Sequence, residues 1–495
     1  MLPTPLQLCS GASGNTAETT ANARTKMRQQ PERKQTNYPN ENGPTARTKT
    51  GQLPERLRIK MEYAIILAIM INYRKRIVDG ILDLKLSSSA AVLVEGPKWC
   101  GKTTTCIQVA KSSIFMDEPT KREQNIELAA ISPAKILSGE YPRLIDEWQI
   151  APQLWDAIRY KADRESIIGG YMITGSAVPV DIDELKHSGT GRFSWLKMRP
   201  MSLWESGESS GSVRLSELFQ GRQITAEDAM PLELEQMAEI ICRGGWPQSL
   251  MMKGRARFET AKNILQAIVE RDISRVDGTD RNPERALKLM RSYARIQGTS
   301  ATAKIIRADL AANEMMDAND DTVYSYLNAL RKLFVIEDSH AWCPNLRTRD
   351  SIRTSDTRYF VDPSIAAVAL GAGPGELIND LKTFGFLFET LAVRDLRVYA
   401  ESLGGEVRHY HDKRGLECDA VIHLPNGSYA LFEVKTGGKH LIEEGAETLT
   451  SLAKLISSKN LCAPVFRMVL TAVGDCAYTR KEDGIIVCPV GCLRP

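Results

Sequence analysis

The sequence predicts an α/β fold built on a parallel sheet, continued by a helical part and closed by an α+β part. Three observations predict it. Short apolar runs at 91–94, 113–116, 143–146 and 170–174 alternate with helical patterns, the sequence form of a parallel, doubly wound sheet. Beyond about residue 233 the apolar spacing changes to threes and fours, so helices replace strands. From about residue 358 a helix at 384–403 leads into alternating runs at 407–411, 417–424 and 429–434, the pattern of half-buried strands.

The first sheet is justified by what stands at its strand ends. Gly96-Pro97-Lys98-Trp99-Cys100-Gly101-Lys102-Thr103 fits the phosphate-loop pattern G-x-x-x-x-G-K-[ST], between an apolar strand and a helix-compatible stretch at 104–111. The glycines let backbone N–H groups wrap a β-phosphate, Lys102 reaches the β and γ oxygens, the Thr103 hydroxyl is a magnesium ligand, and Thr104 completes the nucleotide-binding run. The expected ligands are therefore ATP and Mg. Arg143-Leu144-Ile145-Asp146-Glu147 is an apolar strand ending in two acids. Asp146 is expected to hold magnesium and Glu147 to orient or deprotonate the attacking water, which separates a hydrolase from a simple binder or a small-molecule kinase.

The strand Tyr171-Met172-Ile173-Thr174 runs into Gly175-Ser176, where a polar side chain can sense the γ-phosphate; Ser176 is the candidate. Arg192 ends the glycine-flanked run His187-Ser188-Gly189-Thr190-Gly191-Arg192 and is a candidate for stabilising transition-state charge, in its own site or in that of a neighbouring subunit. An ordinary salt bridge is the alternative for it.

The helical part holds segments at 236–242, 258–273, 284–297, 303–312 and 321–334. The last carries Val323, Leu327, Leu330 and Phe334 on one face and Tyr324, Asn328, Arg331 and Lys332 on the other, followed by an extended stretch at 335–340. Three short helices and a strand fit a winged helix-turn-helix, with DNA as a candidate partner of the polar face.

At 495 residues and 55.0 kDa the chain exceeds what one core usually serves, and 43% hydrophobic with 25% charged residues is an ordinary globular composition. The net charge of +3 is unevenly spread: residues 1–60 carry ten Lys and Arg against four Asp and Glu. That stretch lacks apolar periodicity and reads as a disordered basic extension; the remainder is slightly acidic, so no global field advertises nucleic acid. Ten scattered cysteines, one of them Cys100 in the phosphate loop, suit a reducing compartment. Cys462, Cys476, Cys488 and Cys492 lack the double spacing of a zinc ribbon and read as buried hydrophobes. The apolar run at 64–71 is short of the roughly 20 residues a membrane crossing takes, so a cytoplasmic protein without membrane contact is expected.

The run Tyr73-Arg74-Lys75-Arg76-Ile77-Val78-Asp79, the loop GPKWCGKTTT, LIDEWQ, ITGSA, GTGR and RPMSLWE together resemble a widespread prokaryotic family of AAA-superfamily ATPases with a C-terminal domain of unknown function. The resemblance covers nearly everything from Tyr73 onward. It implies an ATPase domain at 73–230, a helical lid at 231–300 with the Gly-x-Pro element Gly245-Trp246-Pro247, a winged helix at 301–345 and a restriction-endonuclease-like domain at 346–495. The basic extension has no counterpart in that pattern.

Hairpin geometry adds a site to the end domain. Pro425-Asn426-Gly427 suits a type I turn followed by a left-handed glycine, which sets Leu424 against Ser428, Asp419 against Glu433 and Glu417 against Lys435. Two carboxylates about 5 Å apart with a lysine two residues on form a candidate magnesium site. Asp419 with Glu433-Val434-Lys435 is similar to the core of the PD-(D/E)XK nucleases, and Glu389 on the preceding helix matches the acid often found there. Three functions follow: an ATP-hydrolysing switch or motor coupled to a module that binds DNA, a protein partner or a second copy; an ATP-gated, metal-dependent DNA nuclease; and a nucleotide-sensing scaffold that does not hydrolyse.

Overall fold

The computed structural model describes residues 73–177, 190–344, 355–459 and 461–495; the expected basic extension at 1–60, the apolar run at 64–71 and His187, Ser188 and Gly189 lie outside the described residues. The strands β1 (Ala91–Glu95), β2 (Ser112–Phe115), β3 (Arg143–Asp146), β4 (Tyr171–Gly175) and β5 (Phe193–Lys197) form a parallel sheet in the order β2-β3-β4-β1-β5. Side chains alternate between two cores. Val92, Val94, Leu144 and Met172 join one with the helices Ile77–Ser88 and Lys102–Val109; Ala91, Leu93, Ile145 and Ile173 join the other with Leu154–Glu165. Burial on both faces is why these strands read as continuous apolar runs. The order sets β4 between β1 and β3, so three strand ends bearing chemistry lie side by side.

Helices follow at Leu234–Arg243, Pro247–Met251, Glu259–Ala267, Pro283–Ile296, Ala303–Glu314 and Asp320–Lys332. Two expectations are corrected here. The single helix expected at 258–273 is interrupted by a π turn over Ile268–Asp272. The helix expected to run to Phe334 stops at Lys332; Phe334 takes a left-handed φ of 57° and Leu333 takes the buried place. Beyond it, Ile336 and Ser339 bridge antiparallel to Phe360 and Thr357. Arg331, expected on the open polar face, is bonded through two nitrogens to the buried Asp338 at 2.9 and 2.6 Å.

The strands β6 (Val213–Arg214), β7 (Ala226–Asp228), β8 (Glu406–His411), β9 (Glu417–His423), β10 (Tyr429–Lys435), β11 (Arg467–Thr471), β12 (Cys476–Thr479), β13 (Ile486–Pro489) and β14 (Leu493–Arg494) complete the chain. Seven of them form one sheet, β7-β12-β13-β11-β10-β9-β8. The antiparallel meander β8-β9-β10 follows the long helix Leu381–Ser402, and the helix Lys439–Ser458 crosses over to place β11 parallel to β10.

The expected boundaries at 230 and 346 are corrected by this sheet. β7 pairs with β12 and β6 with β14, so the stretch after the ATPase strands closes the edge of the end sheet. The helices Pro363–Leu370 and Pro374–Asn379 pack against Leu234–Arg243, across the expected boundary at 346; Ile365, Ala366 and Ala367 are fully buried there. The hairpin follows the sequence: Leu424 N–H donates to Ser428 O at 2.8 Å, Gly427 has φ 85°, and Tyr429 faces His423. Among the described residues no helix is long and apolar enough to cross a membrane.

Candidate active site

The phosphate loop leaves β1 and enters the helix Lys102–Val109. Gly96 has φ 153°, and a Cβ there would lie 2.1 Å from Met198 O, so close backbone approach demands glycine. The loop is braced from behind by Arg76, buried, whose guanidinium donates to Cys100 O at 3.0 Å, Arg199 O at 2.9 Å and the Glu205 carboxylate at 2.8 Å. Burial works against the Glu205 charge, but Arg76 and the Ser202 N–H outweigh it and hold the carboxyl below its usual range.

Lys102 is 6% exposed, and its ammonium donates to Gly96 O and Pro97 O, both at 2.9 Å. The Thr103 hydroxyl donates to Asp146 Oδ1 at 2.7 Å, and Thr174 donates to the same oxygen at 2.5 Å. Burial pushes the Asp146 carboxyl up against those two bonds. Glu147 follows at a left-handed φ of 54°. Its N–H donates to Thr174 Oγ1 at 3.2 Å, and its carboxylate accepts from Ser176 Oγ at 3.0 Å and from Gln149. Lys102, Thr103, Glu147 and Ser176 line a cleft of about 540 Å³ together with Pro247, Gln248 and Met251 of the helix Pro247–Met251. Trp99 and Met251, 54% and 69% exposed, set apolar surface at an otherwise polar site.

Most of the expected loop and strand-end residues therefore meet in one place. Arg192 does not. It precedes Phe193, which pairs with Ala91 at the start of β1, whereas the loop follows Glu95 at its end. Four residue steps put roughly 13 Å of strand between them, and the Arg192 guanidinium is bonded to Asp163 at 2.5 Å. A role in its own site is ruled out by that placement. Residues that sequence reasoning passed over are Thr174, named only as part of its strand, and Asp272, which reaches Lys98 at 2.7 Å from the π turn.

In the end domain Glu433 is buried and Glu389 and Asp419 are half-buried; burial, first, pushes all three carboxyls up, helped at Glu389 and Glu433 by the charge of Asp419 and opposed at Asp419 by Lys435. Tyr359 OH donates to Glu389 at 2.6 Å and Val434 N–H to Asp419 at 2.8 Å. Lys435 Nζ lies 3.3 Å from Glu433 and 3.4 Å from Glu444. The β9–β10 pairing keeps the expected register from Tyr429–His423 to Phe432–Ala420; beyond it the Glu417 carboxylate lies 3.1 Å from His411 of β8. Among the described residues no three His, Cys, Asp or Glu are arranged to hold a metal ion.

Sheet order, phosphate loop and strand-end acids define a P-loop ATPase site, and residues 88–206 match the family model of an AAA domain. Together they support a P-loop ATPase of AAA type. Residues 234–376 and 384–493 match two domains of unknown function, DUF8612 and DUF4143. Uncharacterized proteins of Mycobacterium tuberculosis (strain ATCC 25618 / H37Rv) and Mycobacterium bovis (strain ATCC BAA-935 / AF2122/97) are each 23% identical over 354 residues, 71% of this chain and 71% of theirs. Among solved structures, a Walker-type ATPase of Pyrococcus abyssi is 15% identical with a TM-score of 0.36, over 59% of this chain and 94% of its own. The ORC2 protein of Aeropyrum pernix is 12% identical with a TM-score of 0.27, over 68% and 97%.

Proposed function

We infer that the chain binds ATP with magnesium in the cleft beside Lys102, hydrolyses it, and uses the change of state to switch a module that engages DNA or a protein partner. One observation carries this reading: the Thr103 and Thr174 hydroxyls converge on a single Asp146 carboxylate oxygen while Ser176 holds Glu147 beside them. A hydroxyl and a carboxylate are the hard oxygen donors that magnesium takes, and a cation relieves the burial cost seen at Asp146. Bound magnesium supplies neutralisation of charge on the phosphates. Lys102 exchanges its two loop carbonyls for phosphate oxygens, and Glu147, fixed by Ser176, receives a proton from water. Trp99 and Met251 offer apolar surface to a base. Arg192, paired with Asp163, fits the ordinary salt bridge; a charge-stabilising role for it would need the site of a neighbouring copy in a homo-oligomer.

Half-buried charges tie this site to the rest of the chain. Met198 packs on Gly96, and the next residue, Arg199, bonds Glu337 at 2.9 and 2.8 Å and Glu401 of the long helix at 2.7 Å. These contacts support a switch that reaches the end domain, and they favour it over a scaffold that only senses nucleotide. The helical segment at 301–345 is read as a winged helix whose polar face holds Tyr324, Lys332 and Asn328, the last accepting from Arg331 at 3.0 Å. The test is phosphate release measured without DNA and with single- or double-stranded DNA; no release under any condition favours the scaffold.

A second reading, DNA cleavage by the end domain, rests on Glu389, Asp419 and Glu433 near Lys435, since burial raises all three carboxyls and a divalent cation would offset that cost. Its test is supercoiled plasmid with magnesium or manganese and ATP. Nicking lost in the Asp419→Ala, Lys435→Ala double variant supports it; nicking absent from the unmodified protein rejects it.

A further inference from the structure

The phosphate loop carries a second lysine with a partner in the lid. Lys98 Nζ lies 2.7 Å from Asp272 Oδ1; the lysine side chain is 46% exposed and the aspartate side chain 10%. Lys98 also lines the cleft with Lys102 and Thr103. Asp272 is the last residue of the π turn that joins the helices Glu259–Ala267 and Ile273–Arg275. A π turn inserts an extra residue into a helix and re-aims the side chains beside it, and such turns concentrate at functional sites. The loop is equally constrained: Lys98 sits between a proline, which fixes φ, and Trp99 at a left-handed φ of 71°. Its ammonium can therefore swing between a lid carboxylate and the cleft without the backbone moving.

We propose that Asp272 is a positioning residue that competes with the phosphates of the nucleotide for Lys98, so that binding exchanges a lid carboxylate for a phosphate and unties the lid from the loop. The inference rests on the nucleotide reading of the cleft. An ammonium is a compact charge with three donors, and a phosphate offers it more negative charge than a carboxylate does. The exchange costs no ion pair, and what it changes is the attachment of the π turn.

The test titrates MgATP, with the melting curve of each variant recorded alongside. Asp272→Asn keeps volume and removes the competitor, so affinity is expected to tighten by about fivefold, the scale of a partly exposed ion pair. A merely structural role for Asp272 predicts the opposite sign. Lys98→Met is expected to weaken affinity, and Asp272→Asn should have no further effect in that background. Unchanged or weaker binding in a folded Asp272→Asn protein overturns the proposal, as does tightening that persists without Lys98. Should Asp272→Asn not fold, Lys98→Met decides on its exposed side chain, with unchanged affinity counting against the exchange. Lys102→Ala separates the two layers: unchanged binding there removes the nucleotide reading itself, whereas lost binding there with no Asp272 effect removes only the exchange.

Discussion

Thr174 gives its hydroxyl hydrogen to Asp146 at 2.5 Å and accepts the Glu147 N–H at 3.2 Å, so one side chain on β4 fixes both acids at the end of β3. Thr174→Val keeps the shape and removes both bonds. Turnover should fall about tenfold or more as the two acids lose their placement, and stability by ~1–3 kcal/mol from the polar groups left unpaired. Phosphate release and denaturant unfolding check both; turnover within about twofold of normal contradicts the positioning role.

Asp146 itself should show function and stability in opposition. Burial raises its carboxyl, so the folded state binds this proton more tightly than the unfolded chain does. The associated stability is present at low pH and is lost as pH rises through the raised value, which makes the charge a cost at neutral pH. Asp146→Asn is thus expected to raise the melting temperature at pH 7 while removing magnesium-stimulated turnover. A lower melting temperature in a folded variant would count against the argument.

Arg394 is a buried bolt between three parts of the chain. It bonds Asp362 at 2.8 Å and Asp395 at 2.7 Å, while Asp362 accepts the Gly245 N–H of the lid and Asp395 the Leu203 N–H. Arg394→Met leaves two buried carboxylates without their cation, a loss of ~3–5 kcal/mol. Burial already pushes Asp395 up to about 6 against the pull of Arg394. An acid raised in the fold contributes stability at low pH that is lost as pH rises through that value. The variant should therefore recover stability between pH 7 and pH 5, read as melting temperature; a flat response contradicts the assignment.

His409 gives the opposite slope. Burial lowers it from 6.5 to about 4, and its Nδ1 lies 2.8 Å from Ser339 O, which can only accept, so the ring is neutral with its proton on Nδ1. For a base lowered in the fold, stability is present above pH 6.5 and is lost as pH falls toward 4, up to ~3 kcal/mol. His409→Gln should flatten the stability profile over that window. An unchanged profile would show that the ring is not the group responsible.

What the sequence disclosed depended on whether the determining contacts were local. The phosphate loop, the strand-end acids and the β9–β10 register follow from residues a few positions apart and from one three-residue turn, and they fall where patterns predict. For Arg192 the sequence leaves charge stabilisation and an ordinary salt bridge open, because a glycine-flanked arginine reads the same at either end of a strand; the β1–β5 register and the bond to Asp163 favour the salt bridge. β7 escaped notice because its partner β12 lies far along the chain, and the pairing of Asp272 with Lys98 depends on a π turn that helical periodicity does not signal. Phe334 shows the limit of a spacing argument: it keeps the apolar period yet lies past the helix end, where Leu333 turns inward instead.

The central claim is that Glu147, held by Ser176 beside Lys102, makes this cleft a hydrolase. The most direct measurement is MgATP binding and phosphate release in parallel for the unmodified protein and Glu147→Gln, which keeps the side-chain volume and removes the base. Binding should stay within about twofold of normal and release should fall by roughly 100-fold or more. Release that survives the substitution near its normal rate, or that is absent from the unmodified protein while ATP still binds, would contradict it.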